Sequence, residues 1–138
     1  MILLDTTVLS LAFRRRTRSA QEPSAVTAFR GLISEDVLLR VPGIVLQELL
    51  SGVRSGGQFR RLERLLQGFT VLIATRNDQV AAAQIANSCR RAGVSPSSID
   101  CLIAAMSIRS DSELFTLDPD FVRIAPHCGL RLYGVEAT

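Results

Sequence analysis

The sequence contains no lysine and no tryptophan, and it has a single histidine, His127. All sixteen basic residues are therefore arginines. Without lysine, the chain can neither form a Schiff base nor use the phosphate-binding lysine of a P-loop. A Ser-His-Asp or Cys-His mechanism would depend on one histidine in a segment flanked by proline and glycine. Carboxylates, hydroxyls and arginines remain as the main groups available for catalysis.

Cysteine and long apolar runs are also scarce. Cys89, Cys101 and Cys128 are odd in number and far apart, so they match neither a zinc-site spacing nor a disulfide framework, and we expect them in the core. The longest unbroken apolar run, 101–106, has six residues, whereas a membrane span needs roughly 18 to 20. The chain also begins without the segments of a secretory signal. We therefore expect a cytoplasmic protein that does not bind membranes.

Length and composition are typical of one globular domain, which we expect to span residues 1–138. The 138-residue chain is 47% hydrophobic and 21% charged. Its formal net charge of +3 gives a weak general attraction to phosphate. With six Phe, one Tyr and no Trp, a stacking platform for single-stranded bases is poorly supported.

Short apolar segments alternate with helical patterns along the chain. We predict strands at 1–4, 37–41, 70–74 and 113–117, with a fifth at 130–133. Helices are predicted at 6–13, 23–34, 44–53, 59–67, 78–91 and 95–108, with a short one around 121–122, and Asn77 is the predicted cap of the longest. This alternation indicates an α/β three-layer domain with a mostly parallel central sheet flanked by helices.

Acidic residues follow the predicted strands or lie in apolar helices. Asp5 follows the first strand, and Asp118 and Asp120 follow the fourth. Asp100 and Glu48 each lie within an apolar helical segment. In parallel sheets a site forms beyond the carboxyl ends of the strands, so these acids could converge there. Repulsion would make an empty cluster unfavourable, and Mg²⁺ or Mn²⁺ is the natural neutraliser.

Each acid also has an ordinary structural explanation. Asp5, Asp118 and Asp120 could be helix caps or turn residues, and Glu48 could be an exposed helical glutamate. Asp100 could belong to a buried ion pair, because an unpaired carboxylate in an apolar helix is costly.

Four segments, in order, resemble PIN-domain nucleases and, more narrowly, VapC-type toxins of bacterial toxin–antitoxin pairs. They are 3–9 (LLDTTVL), 47–53 (QELLSGV), 99–105 (IDCLIAA) and 117–121 (LDPDF). The resemblance covers nearly the whole chain. It implies a PIN-like sheet with strand order 3-2-1-4-5 and a ribonuclease that depends on Mg²⁺ or Mn²⁺.

The resemblance also implies roles for particular carboxylates. Asp5, Asp100 and Asp118 match the principal metal ligands and, together with Glu48, the catalytic acids. Glu48 would bind the metal directly or through water, and Asp120 matches an auxiliary or second-metal ligand.

Two threonines match positions that order the site in the family. Thr116 falls where a hydroxyl residue is frequent. Thr7 replaces a commoner asparagine or serine, and its hydroxyl can still donate a hydrogen bond to a metal ligand. The resemblance further implies a VapB-like antitoxin that blocks the acidic site, and a homodimer.

An arginine-rich segment follows the first predicted helix. Arg14, Arg15, Arg16 and Arg18 are candidate substrate-binding residues, because arginine donates bidentately to phosphate. A solvated loop or an antitoxin contact is an equally good explanation. With few aromatic residues, recognition would depend on RNA shape, which favours a structured RNA such as tRNA or an rRNA loop.

Three other functional classes differ from this hypothesis in testable ways. A receiver domain or a haloacid-dehalogenase-like phosphatase also places acids at strand ends, but both normally use a lysine near the site. A non-catalytic PIN-like module would bind RNA or a partner without cutting. An unrelated α/β binding module, whose acids are only caps, would show no stabilisation by Mg²⁺ or Mn²⁺.

Overall fold

A computed structural model describes residues 1–14 and 22–134 of the chain. Its strands are β1 (Ile2–Leu4), β2 (Leu39–Pro42), β3 (Thr70–Leu72) and β4 (Glu113–Phe115). They form one parallel sheet in the order β3-β2-β1-β4. This order confirms the first four places of the predicted sheet.

The predicted fifth strand is reduced to one parallel bridge, in which Leu132 pairs with Leu114 of β4. Two backbone hydrogen bonds flank the bridge, so the segment occupies the fifth place beside β4. Gly129 and Gly134 both have a φ of 78°, which turns the backbone out of the extended conformation on either side. These turns explain why the ladder stops after a single pair.

Seven helices are present in the described ranges, and all seven were predicted to within a few residues. They are α1 (Thr6–Arg14), α2 (Ser24–Ser34), α3 (Gly43–Leu50), α4 (Gly56–Leu66), α5 (Arg76–Arg91), α6 (Ser98–Arg109) and α7 (Asp120–Ile124), the last continuing into a 3₁₀ turn, Ala125–His127. None of the helices in these parts of the chain is both long and apolar enough to cross a membrane.

The core surrounds β1, whose three residues are all buried. Leu3 and Leu4 are fully inaccessible, because helices cover both faces of the sheet. Val45 of α3 and Ile103 of α6 belong to the same core. The buried central strand therefore leads directly to Asp5 at the carboxyl edge of the sheet.

The start of α5 differs from the prediction, because Thr75 rather than Asn77 is its cap. The Thr75 hydroxyl accepts a hydrogen bond from the Asp78 N–H (3.1 Å), and the Asp78 carboxylate accepts one from the Thr75 N–H (2.8 Å). This capping box gives hydrogen-bond acceptors to two backbone N–H groups, those of Thr75 and Asp78, which a cap at Asn77 would leave without a partner.

A buried ion pair joins the beginning of α5 to the end of α6. Asp78 is 1% exposed, and its carboxylate accepts a hydrogen bond from Arg109 Nε at 2.6 Å. Burial opposes ionisation of Asp78, but the hydrogen bonds from Arg109 and Thr75 outweigh it and lower the pKa. The pair therefore fixes these helices in an antiparallel arrangement.

The three cysteines are free thiols, as predicted. Cys89 of α5 and Cys101 of α6 are buried in the core, and Cys128 is partly buried. Burial raises the pKa of Cys101 to about 11 and also raises that of Cys128. Because the thiolate is the reactive form, Cys101 and Cys128 are unreactive near neutral pH.

Candidate active site

Asp5 occupies the centre of the carboxyl edge of the sheet. Its backbone N–H donates to the Phe115 carbonyl (3.0 Å), which extends the pairing of β1 with β4 by one step. The side chain is 5% exposed. Asp5 Oδ2 accepts hydrogen bonds from the hydroxyls of Thr116 (2.6 Å) and Thr7 (3.0 Å). The carboxylate is therefore held in one orientation.

The two threonine hydroxyls join the end of β1 to the loop after β4. The Thr7 hydroxyl accepts a hydrogen bond from the Leu117 N–H (2.9 Å), and the Thr116 hydroxyl accepts one from the Asp118 N–H (3.0 Å). Because a hydroxyl has a single proton, each threonine that donates to Asp5 has no proton left for another acceptor. Among the described residues none donates a hydrogen bond to Asp5 Oδ1.

Three carboxylates from two segments of the chain come together at the site. Oxygens of Asp100, Asp118 and Asp120 all lie within 4.8 Å of one another, and we call these residues the acidic trio. Asp100 is the third residue of α6, where its N–H donates to the Ser97 hydroxyl (3.1 Å). Asp120 begins α7, and its N–H donates to Asp118 Oδ1 (2.9 Å). Asp120, which was predicted as an auxiliary ligand, thus lies with Asp100 and Asp118, whereas Asp5 is not a member of this group.

The electrostatics of the site show the effect of crowded negative charge. Burial raises the pKa of Asp100 to about 6, and repulsion from Asp118, Asp5 and Asp120 adds to the increase. A hydrogen bond from Ser97 acts in the opposite direction but is outweighed. Neutralisation of these groups by a cation would relieve the repulsion.

Glu48 lies outside the acidic trio, although it is electrostatically coupled to Asp5. It belongs to α3, the helix after β2, and its side chain is exposed. Partial burial and repulsion from Asp5 raise its pKa. The structure therefore brings Glu48 to the same edge of the sheet without placing it in the trio.

The donor set fits a hard divalent cation. Every candidate ligand atom is a carboxylate oxygen, which suits Mg²⁺ and Mn²⁺ better than metals that prefer nitrogen or sulfur. Three of the carboxylates are close enough to share one ion, and Asp5 offers Oδ1.

Sequence reasoning missed one charged residue at the site, Arg123. Its guanidinium pairs with Asp120 across one turn of α7. The spacing of three residues was a visible signal, but it did not show that Asp120 belongs to a cluster.

The predicted arginine clamp is largely outside the described residues. Arg15, Arg16 and Arg18 lie in the undescribed segment, and Arg14 is described only as the last residue of α1. Their predicted role therefore stays a prediction.

Comparisons with known proteins identify the family of the chain. The model of the PIN domain family matches residues 2–126. Ribonuclease VapC11 of Mycobacterium tuberculosis is 37% identical over 128 residues, which is 91% of this chain and 92% of that protein.

Solved structures share the fold at lower identity. FitAcB from Neisseria gonorrhoeae is 23% identical with a TM-score of 0.74, and the match covers 97% of both chains. VapBC2 from Rickettsia felis, solved with a DNA fragment from its promoter, is 19% identical with a TM-score of 0.76 and covers 99% of this chain and 100% of that chain. At these identities the likeness establishes the architecture.

Proposed function

The chain belongs to the PIN-domain family, and we propose that it is the toxin of a VapBC-like pair, a metal-dependent endoribonuclease. The observation that carries the proposal is the acidic trio beside the immobilised Asp5. The identity to ribonuclease VapC11 over most of the chain supports the same activity. Phosphodiester hydrolysis on bound metal needs carboxylates rather than lysine or histidine, in agreement with the composition.

The carboxylates would divide the work of holding Mg²⁺ or Mn²⁺. Asp100, Asp118 and Asp120 would hold the ion, and Asp5 would add a further oxygen, Oδ1. Thr7 and Thr116 would keep Asp5 oriented, since both hydroxyls are engaged with Oδ2. A bound dication lowers the pKa of water and stabilises charge on the phosphate oxygens.

Glu48 would bind a water molecule at the site rather than join the acidic trio. Its exposed carboxylate lies near Asp5 and has a raised pKa, so it can accept a hydrogen bond from a water molecule at the edge of the site. This water, oriented for in-line attack and giving up a proton, would form the new P–O bond while the P–O3′ bond breaks. The leaving 3′-oxygen takes up a proton from solvent, which gives a 5′-phosphate and a 3′-hydroxyl.

The substrate is proposed to be a structured RNA, tRNA or an rRNA loop. The net charge of +3 gives general attraction to phosphate, and the arginine segment 14–18 would add local contacts. The described aromatic contacts include a packed group of Phe13, Phe29 and Phe69, so these rings contribute to packing rather than to an open stacking surface. Recognition would therefore depend on shape and backbone.

A VapB-like antitoxin is the proposed protein partner. FitAcB and VapBC2 carry paired names of this kind. In α4, Leu62 and Leu66 pack in the core, whereas Phe59 and Leu65 remain 40% and 43% exposed. The exposed pair offers an apolar contact for the antitoxin or for a second copy of the chain. Co-expression with the neighbouring open reading frame tests this, and failure to co-purify would contradict it.

The central experiment is incubation of the purified protein with total RNA, with and without Mg²⁺ or Mn²⁺, followed by mapping of the cleaved ends. We expect cleavage only with metal. Asp5→Asn should abolish cleavage while the protein remains folded, and Asp36→Asn, at an exposed turn residue, is the matched control. Full activity of Asp5→Asn would contradict the proposed metal site, and RNA binding without cleavage would favour a non-catalytic PIN-like module.

A further inference from the structure

Arg123 brings a positive charge to the edge of the acidic trio. Its Nη2 pairs with Asp120 Oδ1, three residues earlier in α7. Asp120 is also a member of the acidic trio. The ion pair therefore places the guanidinium next to the proposed point of cleavage.

The guanidinium keeps unused hydrogen-bond donors in this position. It has five N–H groups in a rigid fork, and the Asp120 contact uses the side at Nη2. The Arg123 side chain is 60% exposed, so the remaining donors can reach a ligand from solvent. Arginine also stays charged at any physiological pH.

Other arginine ion pairs in the described ranges lie elsewhere in the fold. Arg131 is the most useful comparison, because it pairs with Asp111 and its side chain is 57% exposed, close to the value for Arg123. Asp111 precedes β4, however, and so lies at the amino edge of the sheet. The two pairs are alike in chemistry and opposite in location.

Resting on the proposed ribonuclease function, we propose that Arg123 binds a backbone phosphate of the RNA next to the cleaved bond, with Asp120 orienting its guanidinium. Clustered carboxylates repel an approaching RNA backbone, and a fixed cation beside them offsets that repulsion where the phosphate must enter. Arginine suits this role because its fork donates two parallel hydrogen bonds to phosphate.

The test compares Arg123→Gln with Arg131→Gln, since each removes one exposed charge and one ion pair. Binding of a fluorescently labelled RNA hairpin with a single-stranded loop, a small structured RNA of the proposed substrate class, is measured by anisotropy over a range of salt concentrations. One series contains EDTA and another contains Ca²⁺, and the intactness of the RNA is checked on a gel. We expect Arg123→Gln to raise the Kd about tenfold, because the variant loses one hydrogen-bonded contact between a charged side chain and a phosphate.

The salt dependence adds a readout that a merely structural role would not change. Loss of one phosphate contact should lower the slope of log K against log salt by about 0.7. Arg131→Gln should leave the slope unchanged, and Arg123→Lys should restore it because the charge is kept.

The outcomes separate this proposal from the one on which it rests. If the wild type binds and cleaves RNA while Arg123→Gln has the Kd and slope of Arg131→Gln, the role of Arg123 is wrong and the ribonuclease proposal stands. If the wild type binds no RNA with either EDTA or Ca²⁺ and cleaves none, both proposals are overturned.

Discussion

Replacing Asp100 by asparagine should stabilise the metal-free protein while removing its activity. Burial and the neighbouring carboxylates raise the pKa of Asp100 from 3.8 to about 6. Each pKa unit corresponds to about 1.4 kcal/mol, which gives an upper value of about 3 kcal/mol. Because the side chain is only partly buried, solvent screening reduces the expected gain in unfolding free energy to about 1–2 kcal/mol.

The pH dependence of this gain follows from the direction of the shift. The folded protein binds the Asp100 proton more tightly than the unfolded chain does, so ionisation costs stability as pH rises from 3.8 to about 6. The difference in stability between Asp100→Asn and the wild type should grow across this interval and stay constant above it. Below it both forms carry a neutral group, and the difference should be small.

Urea unfolding followed by circular dichroism, in EDTA at several pH values, measures the effect. Asp36→Asn is the control, since Asp36 is an exposed acid with a φ of 57° that asparagine also adopts. Adding Mn²⁺ should stabilise the wild type and Asp36→Asn but have much less effect on Asp100→Asn. The reasoning fails if Asp100→Asn is no more stable than Asp36→Asn at pH 7.5.

Two further predictions concern the contacts around the site. Thr116→Val removes the 2.6 Å hydrogen bond to Asp5, so the rate of cleavage should fall at least tenfold with little change in KM. Thr116→Ser keeps the hydroxyl and should retain activity. Equal kinetics for the two variants would contradict the positioning role. Asp78→Ala breaks the buried ion pair with Arg109 and should lower the free energy of unfolding, measured in urea at pH 7, by about 2–4 kcal/mol. Arg109→Gln, which removes the other partner of the pair, is the companion variant. Because the pKa of Asp78 is lowered, the contribution of its charge is fully present above pH 3.8 and is lost as pH falls through the folded-state pKa. The cost of Asp78→Ala should therefore shrink on acidification, leaving the part due to the lost capping box; a cost that does not change with pH would contradict the ion-pair explanation.

The sequence alone determined the architecture and the candidate acids. Strands and helices follow from local apolar patterns and breakers, so their order could be read without knowing any distance. The run at residues 2–4 is entirely apolar because β1 is covered on both faces, and the acid after it had to lie at the carboxyl edge. The Thr75–Asp78 capping box is also a four-residue sequence pattern, although the predicted cap was Asn77.

Only the tertiary structure decided how the acids are arranged. The trio contains Asp120 rather than Asp5, and Glu48 lies outside it, because long-range packing of distant segments sets these distances. The contact of Thr116 with Asp5 joins residues 111 positions apart, which no local pattern encodes. The ion pair of Arg123 was visible as a spacing, but its meaning depends on where Asp120 lies. Local interactions fix which element forms, whereas long-range packing fixes which side chains meet.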